Sequence, residues 1–379
     1  ARRSAAQKAA DRRAMRRLDR AAAQASPGAP GPREVEVLAS HWWLDARAGP
    51  HADGCWASPA VGWELAGKVA AVGHEVARFR PGDAVVAICE AGGGCVPRIV
   101  LPEDAVLPRP PALDGAAAAA AIVPGVLAMT AVHLKMRILA EETLLVLGAD
   151  EPAGSAAAQL ALAQGAVVTL AAAAHEQAQA LRRAWEGPAC AVIEILAPPG
   201  TSPAAGTAAT AAPGRPSASA AAQWVDAALP ALLAPTDGLG YDHIFDARNP
   251  PDAHAPRGSP EEPAPPAATP AATAAGLWLS LSVRSLAAHG TLVTRGKSLE
   301  LGPEESQAMA LRGATLAFVN EAPWILSPAR RSRLLHVLEE VLRKLEARSL
   351  ELPHPVEVMF DAASVALAAG KPINAVLRL

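Results

Sequence analysis

The sequence predicts an α/β protein of two domains, a small β-rich domain followed by a doubly wound parallel sheet. Three observations predict it. The chain has 379 residues, too many for one ordinary core and about the number two domains need. Between Val61 and Ile88, short apolar runs are broken by Gly73 and by Pro81, Gly82 and Asp83, the pattern of small antiparallel strands joined by turns. From Glu142 the pattern switches to buried strand, small-residue turn, Ala-rich helix and strand again, which is a βαβ unit.

The elements follow in chain order. Residues 1–20 hold eight bases (among them Arg2, Arg3, Arg12 and Arg13) against Asp11 and Asp19, a net +6. The formal charge of the chain is −3, so the remainder carries −9. A basic arm on an acidic body can be a solvated helix, a targeting sequence or an anchor to an acidic partner surface. Ser26 to Pro32 reads as a linker, which sets the arm and linker at 1–32. Glu34 to Val37 alternates polar and apolar as a half-buried strand does.

Thr143–Leu147 reads as a buried strand, followed by a helix through Gln164, a Gly165 stop and a strand from Val167 to Leu170. Tyr241–Asp246 and Gly290–Thr294 read as further parallel strands. Residues 197–222 and 249–276, dominated by Ala, Pro, Ser, Thr and Gly, read as surface insertions with too little apolar area to offset ordering entropy. Ser327 and Pro328 supply an N-cap and a first-turn proline for a helix whose Leu334, Leu338, Val341, Leu342 and Leu345 recur at helical spacing.

Cys55, Cys89, Cys95 and Cys190 stand far apart with no CxxC pair, which argues against a disulfide framework and a structural zinc lobe and fits a reducing, cytoplasmic compartment. An organellar or cytoskeleton-associated location stays open. No stretch offers about eighteen consecutive apolar residues free of charge and proline, so no membrane span is expected.

Gly62, Glu64, Gly67, Val69, Val72, Gly73, Val76, Phe79, Gly82, Asp83 and Val85 stand at the spacing of the medium-chain dehydrogenase/reductase signature. The chain resembles that superfamily from about residue 33 to 379 apart from the two insertions, with Thr130 and Ala131 matching a conserved-type Thr-Ala helix position. Leu311 to Asn320, then Trp324, Leu326 and Ser327, are most similar to its zinc-free quinone oxidoreductase branch, related to zeta-crystallin. The resemblance implies a GroES-like domain at 33–123 completed by 351–379, and a Rossmann-type domain at 124–350. It also implies a nicotinamide cofactor, NADPH in this branch, near Thr130, Gly148, Ala149, Gly154, Asp246 and Thr294.

At the positions of two zinc ligands of zinc-bearing members stand Trp43 and Trp63, which cannot bind the metal, so no zinc is expected. The branch carries AxGGVG after its first Rossmann strand, so that the backbone can approach a pyrophosphate. Here the loop is Ala149, Asp150, Glu151, Pro152, Ala153, Gly154. Two acids occupy the phosphate region and Pro152 removes an amide donor, so the loop reads as a self-capped helix start with an acid at the N-cap. After Leu170 come Ala171 to Ala174, then His175 and Glu176, with no clear acid for NAD or base for NADP. A tyrosine of the family aligns with Arg98, and no catalytic acid or base is named.

Two functions remain open. One is a zinc-independent NADPH:quinone or enone reductase. The other is a pseudoenzyme, a subunit of a larger assembly docked through its Arg-rich arm (1–25) on an acidic protein surface. Homo-oligomerisation is compatible with either, and nucleic acid is not indicated.

Overall fold

The computed structural model describes residues 28–45, 63–89, 96–185, 187–195, 218–248, 274–296, 299–320, 324, 331–359 and 374–378. The basic arm, Gly62, Cys55, Cys95, the Ser327-Pro328 cap and nearly all of both insertions lie outside them. The elements run β1 (Glu34–Asp45), β2 (Glu64–Val72), β3 (Ala84–Ile88), β4 (Arg98–Pro102), β5 (Val106–Pro108), α1 (Gly115–Met129) with a π-helical continuation over Thr130–Met136, β6 (Thr143–Leu147), α2 (Pro152–Ala163), β7 (Val167–Ala172), α3 (His175–Trp185) and β8 (Cys190–Glu194). Then come α4 (Ala218–Leu233), β9 (Tyr241–Asp246), α5 (Ala274–Arg284), β10 (Leu286–Thr294), α6 (Pro303–Arg312), β11 (Thr315–Phe318), α7 (Arg331–Glu346), β12 (Val356–Met359) and β13 (Asn374–Arg378). Two helices start inside the expected insertions, α4 at Ala218 and α5 at Ala274, because Trp224, Leu277 and Trp278 just beyond supply the apolar anchors those tracts lack.

The chain divides into two compact units, 1–126 with 321–379, and 127–320. In the first unit β1 is the spine of a seven-stranded sheet ordered β12-β13-β1-β2-β3-β5, with β4 paired to the first half of β1. The pairings are antiparallel except β12 with β13. Val35 and Val37 are fully buried while Leu38 between strand faces is exposed, the period-two pattern expected of a strand buried on one side. The signature glycines do steric work: a Cβ at Gly67 would fall 2.3 Å from the Leu38 carbonyl oxygen, where β1 and β2 change register. Trp42 is fully buried in the same core, and its Nε1 donates to the Val96 carbonyl at 3.0 Å.

Helix α7 groups with this first unit rather than with residues 124–350 as its sequence position suggests. Its stripe of Leu334, Leu338, Val341 and Leu342 is buried, and Val341 lies against α1 so closely that a Cβ at Gly125 would meet its Cγ1 at 2.4 Å. The stripe is legible in sequence; the surface it covers is not. One helical stretch, Gly115–Met136, is long and apolar enough to cross a membrane by length and composition, which qualifies the expectation that none would be. Most of it is buried inside the fold, as in the core helix of a folded domain.

The second unit is a parallel six-stranded sheet ordered β11-β10-β9-β6-β7-β8, with helical crossovers. From β6 the chain moves to β7 and β8 on one side, then returns past β6 to β9, β10 and β11 on the other. The strand order therefore reverses between β6 and β9, which makes their carboxyl ends the switch point of a doubly wound sheet, where such folds form a crevice. Both faces of the central strands are covered, so Leu144 to Leu147, Ile244 and Phe245 are buried as a continuous run. Helix α2 presents Ala153, Ala156, Ala157 and Ala161 to the interior, and small side chains let it lie close to β6.

Candidate functional site

The candidate site is the carboxyl end of β6, β9 and β10 in the second unit. Five of the six expected cofactor residues stand there: Gly148 and Ala149 directly after β6, Gly154 in the first turn of α2, Asp246 at the end of β9 and Thr294 at the end of β10. The sixth, Thr130, is buried at the start of the π-helical turn, a segment that packs against β10.

The turn keeps part of the geometry of a dinucleotide loop. Gly148 is left-handed (φ +77°), and a Cβ at Gly154 would fall 2.2 Å from the Gly148 carbonyl oxygen, so both glycines are required by the backbone. Between them the chemistry differs. Glu151 is the N-cap of α2 (φ −79°, ψ 145°) and Pro152 its first residue, as the sequence suggests, but the Glu151 carboxylate makes no cap hydrogen bond. The expected self-capping is corrected on this point. The carboxylate turns instead toward Arg295, whose Nη1 donates to Glu151 Oε2 at 3.3 Å and to the Ala247 carbonyl at 3.2 Å. The Arg295 side chain is only 9% exposed and that of Glu151 30%, so solvent screens this pair weakly.

A second ion pair lies beside the first. Arg248 grips Asp246 through two hydrogen bonds of 2.8 Å, from Nε to Oδ1 and from Nη2 to Oδ2, and the Arg248 amide also donates to Oδ1 at 3.2 Å. The guanidinium carbon stands 4.4 Å from the ring centroid of Trp278 on α5, a cation–π contact that fixes the fork in one orientation. A Cβ at Gly148 would meet Arg248 Cγ at 2.7 Å and the Arg248 backbone nitrogen at 3.0 Å, so the chain after β9 packs directly against this tight turn. Thr294 Oγ1 accepts from the Gly296 amide at 2.9 Å and so ties down the chain just after β10.

A dinucleotide does not fit these residues as they stand. Asp150 and Glu151 set acids in the loop, and Pro152 lacks the amide. On the ribose side β7 ends at Ala172, and His175, the first residue of α3, lies 3.1 Å from Glu194 Oε2 through Nδ1.

The other candidate chemistry is silent. Burial pushes the Tyr241 hydroxyl up to about 12, and it donates to the Leu232 carbonyl at 2.8 Å, a structural bond. Burial likewise raises the Cys190 thiol to about 11, which leaves it protonated and unreactive at neutral pH. Arg98, in place of the family tyrosine, is a surface partner of Glu36 at 2.9 Å. Trp43 is buried with no hydrogen-bond partner for its Nε1, and the Trp63 carbonyl accepts from the Cys89 amide at 2.6 Å. Among the described residues no group of three or more His, Cys, Asp or Glu could hold a metal ion.

Sequence reading missed Arg248, Arg295 and Trp278. A signal was available for the two arginines, since each follows a Rossmann-type strand by one or two positions (Asp246 to Arg248, Thr294 to Arg295), at the crevice end of the sheet.

Comparison with known proteins places these features in context. Residues 39–129 match the alcohol dehydrogenase GroES-like domain. Quinone oxidoreductase-like protein 1 of Mus musculus is 28% identical over 301 residues, covering 76% of this chain and 72% of its own. A quinone oxidoreductase of Pseudomonas aeruginosa is 31% identical over 166 residues, 42% of this chain; the match spans 51% of that protein. Among solved structures, a quinone oxidoreductase of Pseudomonas syringae superposes with a TM-score of 0.64 at 20% identity, covering 93% of this chain and 94% of its own. An NAD-dependent alcohol dehydrogenase superposes with a TM-score of 0.62 at 20% identity, covering 94% and 95%. The structural likenesses speak to the fold.

Proposed function

We propose that the chain, which carries an alcohol dehydrogenase GroES-like domain and is similar to quinone oxidoreductase-like proteins, is a relative of them whose zinc-independent, NADPH-dependent reductase activity is weak or lost and that it serves as a folded subunit of a larger assembly. The observation that carries this reading is the loop itself: Glu151 and Pro152 stand where the branch has the two glycines of AxGGVG, and the Glu151 carboxylate is held there by Arg295 at 3.3 Å. A crevice meant for a mobile coenzyme would present open backbone at those two positions, and this one presents a carboxylate paired with a buried arginine, then a proline. With Pro152 in the first turn, the helix start that would face the phosphates has one amide fewer. Trp43 and Trp63 stand where zinc would need ligands, which supports a zinc-free protein.

The retained left-handed Gly148 and the close approach at Gly154 favour the second reading, a working reductase with a modified loop. Charge supports the assembly role: a +6 segment joined to a −9 body suits attachment to an acidic protein surface. The test has two arms. Purified full-length chain is assayed for NADPH consumption with quinones and enones, and full-length and arm-deleted chains are compared in pull-downs at low and high ionic strength. The proposal expects no steady turnover, and salt-sensitive capture that the arm deletion abolishes. Steady turnover of NADPH, or equal capture of both chains at every salt concentration, contradicts it.

A further inference from the structure

We infer that the Glu151 carboxylate is a tethered stand-in for an anionic ligand, filling an anion seat around Arg295 that the fold would otherwise offer to a phosphate or pyrophosphate group. The inference rests on the reading above and deepens it, since it says why the crevice stays folded without coenzyme. A guanidinium that is 9% exposed needs acceptors around it, because a buried charge without them is strongly unfavourable. The carboxylate facing Arg295 comes from Glu151, 144 residues earlier in the chain.

The conformation of Glu151 makes the same point. As an N-cap acid it has a local alternative, to accept a bond from the first-turn amides of α2, and it does not take that bond. Its extended φ and ψ point the side chain instead at the carboxyl end of β10. The carboxylate, itself an oxyanion, is thus held next to a helix start, a left-handed glycine turn and a buried arginine, three features that together bind phosphate oxyanions. Being covalently attached, it competes at a high effective concentration against any free anion.

The experiment uses the full chain and inorganic pyrophosphate as probe, read by thermal melting and by titration. Glu151→Gly is expected to melt lower than the unmodified chain and to recover on adding pyrophosphate, with an affinity at least about tenfold above that of the unmodified chain. Adding Arg295→Gln to Glu151→Gly is expected to remove the recovery. Glu151→Gln, which keeps the side-chain shape without its charge, gives the same readout if the glycine variant folds poorly. Equal stabilisation of all chains by pyrophosphate, or no gain in either Glu151 variant, overturns the inference. Turnover of NADPH by the unmodified chain would instead sink the non-catalytic reading and leave the anion seat to the pyrophosphate result.

Discussion

Replacing Gly125 by alanine tests the packing of α7 on α1, and with it the assignment of the C-terminal helix to the first unit. The added Cβ would stand 2.4 Å from Val341 Cγ1 and 3.0 Å from Cγ2, well inside the roughly 3.5–4.0 Å of carbon–carbon contact. Val341 is fully buried and β-branched, so its side chain has little rotamer freedom with which to move aside. Overpacking of this kind costs about 1–3 kcal/mol. Glycine to alanine inside a helix returns up to about 1 kcal/mol, which leaves Gly125→Ala between about 0 and 3 kcal/mol less stable. Val341→Ala alone removes two buried methyl groups and costs about 2–3 kcal/mol. In the double variant the clash is gone, so the two effects are expected to miss additivity by about 1–3 kcal/mol in the favourable direction. Chemical denaturation followed by circular dichroism, with an unchanged slope, measures all four proteins. Additivity within about 0.5 kcal/mol would mean that α7 does not seat on Gly125, and the grouping of residues 331–350 with the first unit would fail.

Glycine at both Glu151 and Pro152 is expected to raise NADPH affinity over the unmodified chain, as measured by titration, because it removes an acid and restores an amide at the helix start; unchanged affinity would contradict this reading of the loop. Tyr241→Phe is expected to cost about 1 kcal/mol in denaturation, since a buried hydroxyl bonded to the Leu232 carbonyl at 2.8 Å is lost, and a neutral result would contradict that bond. The His41 imidazole is held below its ordinary value of 6.5 chiefly by burial, with Arg378 and Arg109 acting the same way and Glu357 and Asp114 against it. The folded chain therefore takes up this proton later than the unfolded chain, so its stability is expected to fall as pH drops below 6.5 toward the folded value and then level off. His41→Asn should shrink that loss in a pH series of denaturation curves, and an unaltered profile would refute the assignment.

Much of the fold was legible because it depends on local pattern. Thr143–Leu147, the Ala-rich helix, Gly165 (φ +84°) and Tyr241–Asp246 stand where period, turn chemistry and composition put them. β7 runs two residues past Leu170, and β10 begins at Leu286 rather than Gly290; pairing with neighbouring strands extends both beyond what their own residues specify. The loop acids and Pro152 were visible as departures from a phosphate cradle. Their partners were not, since Glu151 and Arg295 are 144 residues apart and nothing in either local stretch demands the other. For the same reason Glu151 looked like a cap: sequence identifies the N-cap position and its acid, while the carboxylate turns to a buried arginine just past the end of β10. The insertions were over-extended because composition averages over windows, whereas a single Trp224 or Trp278 can anchor a helix at the edge of such a window.

The central claim is that the crevice between β6 and β9 is closed to coenzyme by the side chains of the protein itself. Calorimetric titration of the unmodified full-length chain with NADPH, and separately with NADH, tests it most directly. The account predicts no saturable heat for either nucleotide up to high micromolar concentration. Stoichiometric binding of either at low micromolar affinity would contradict it.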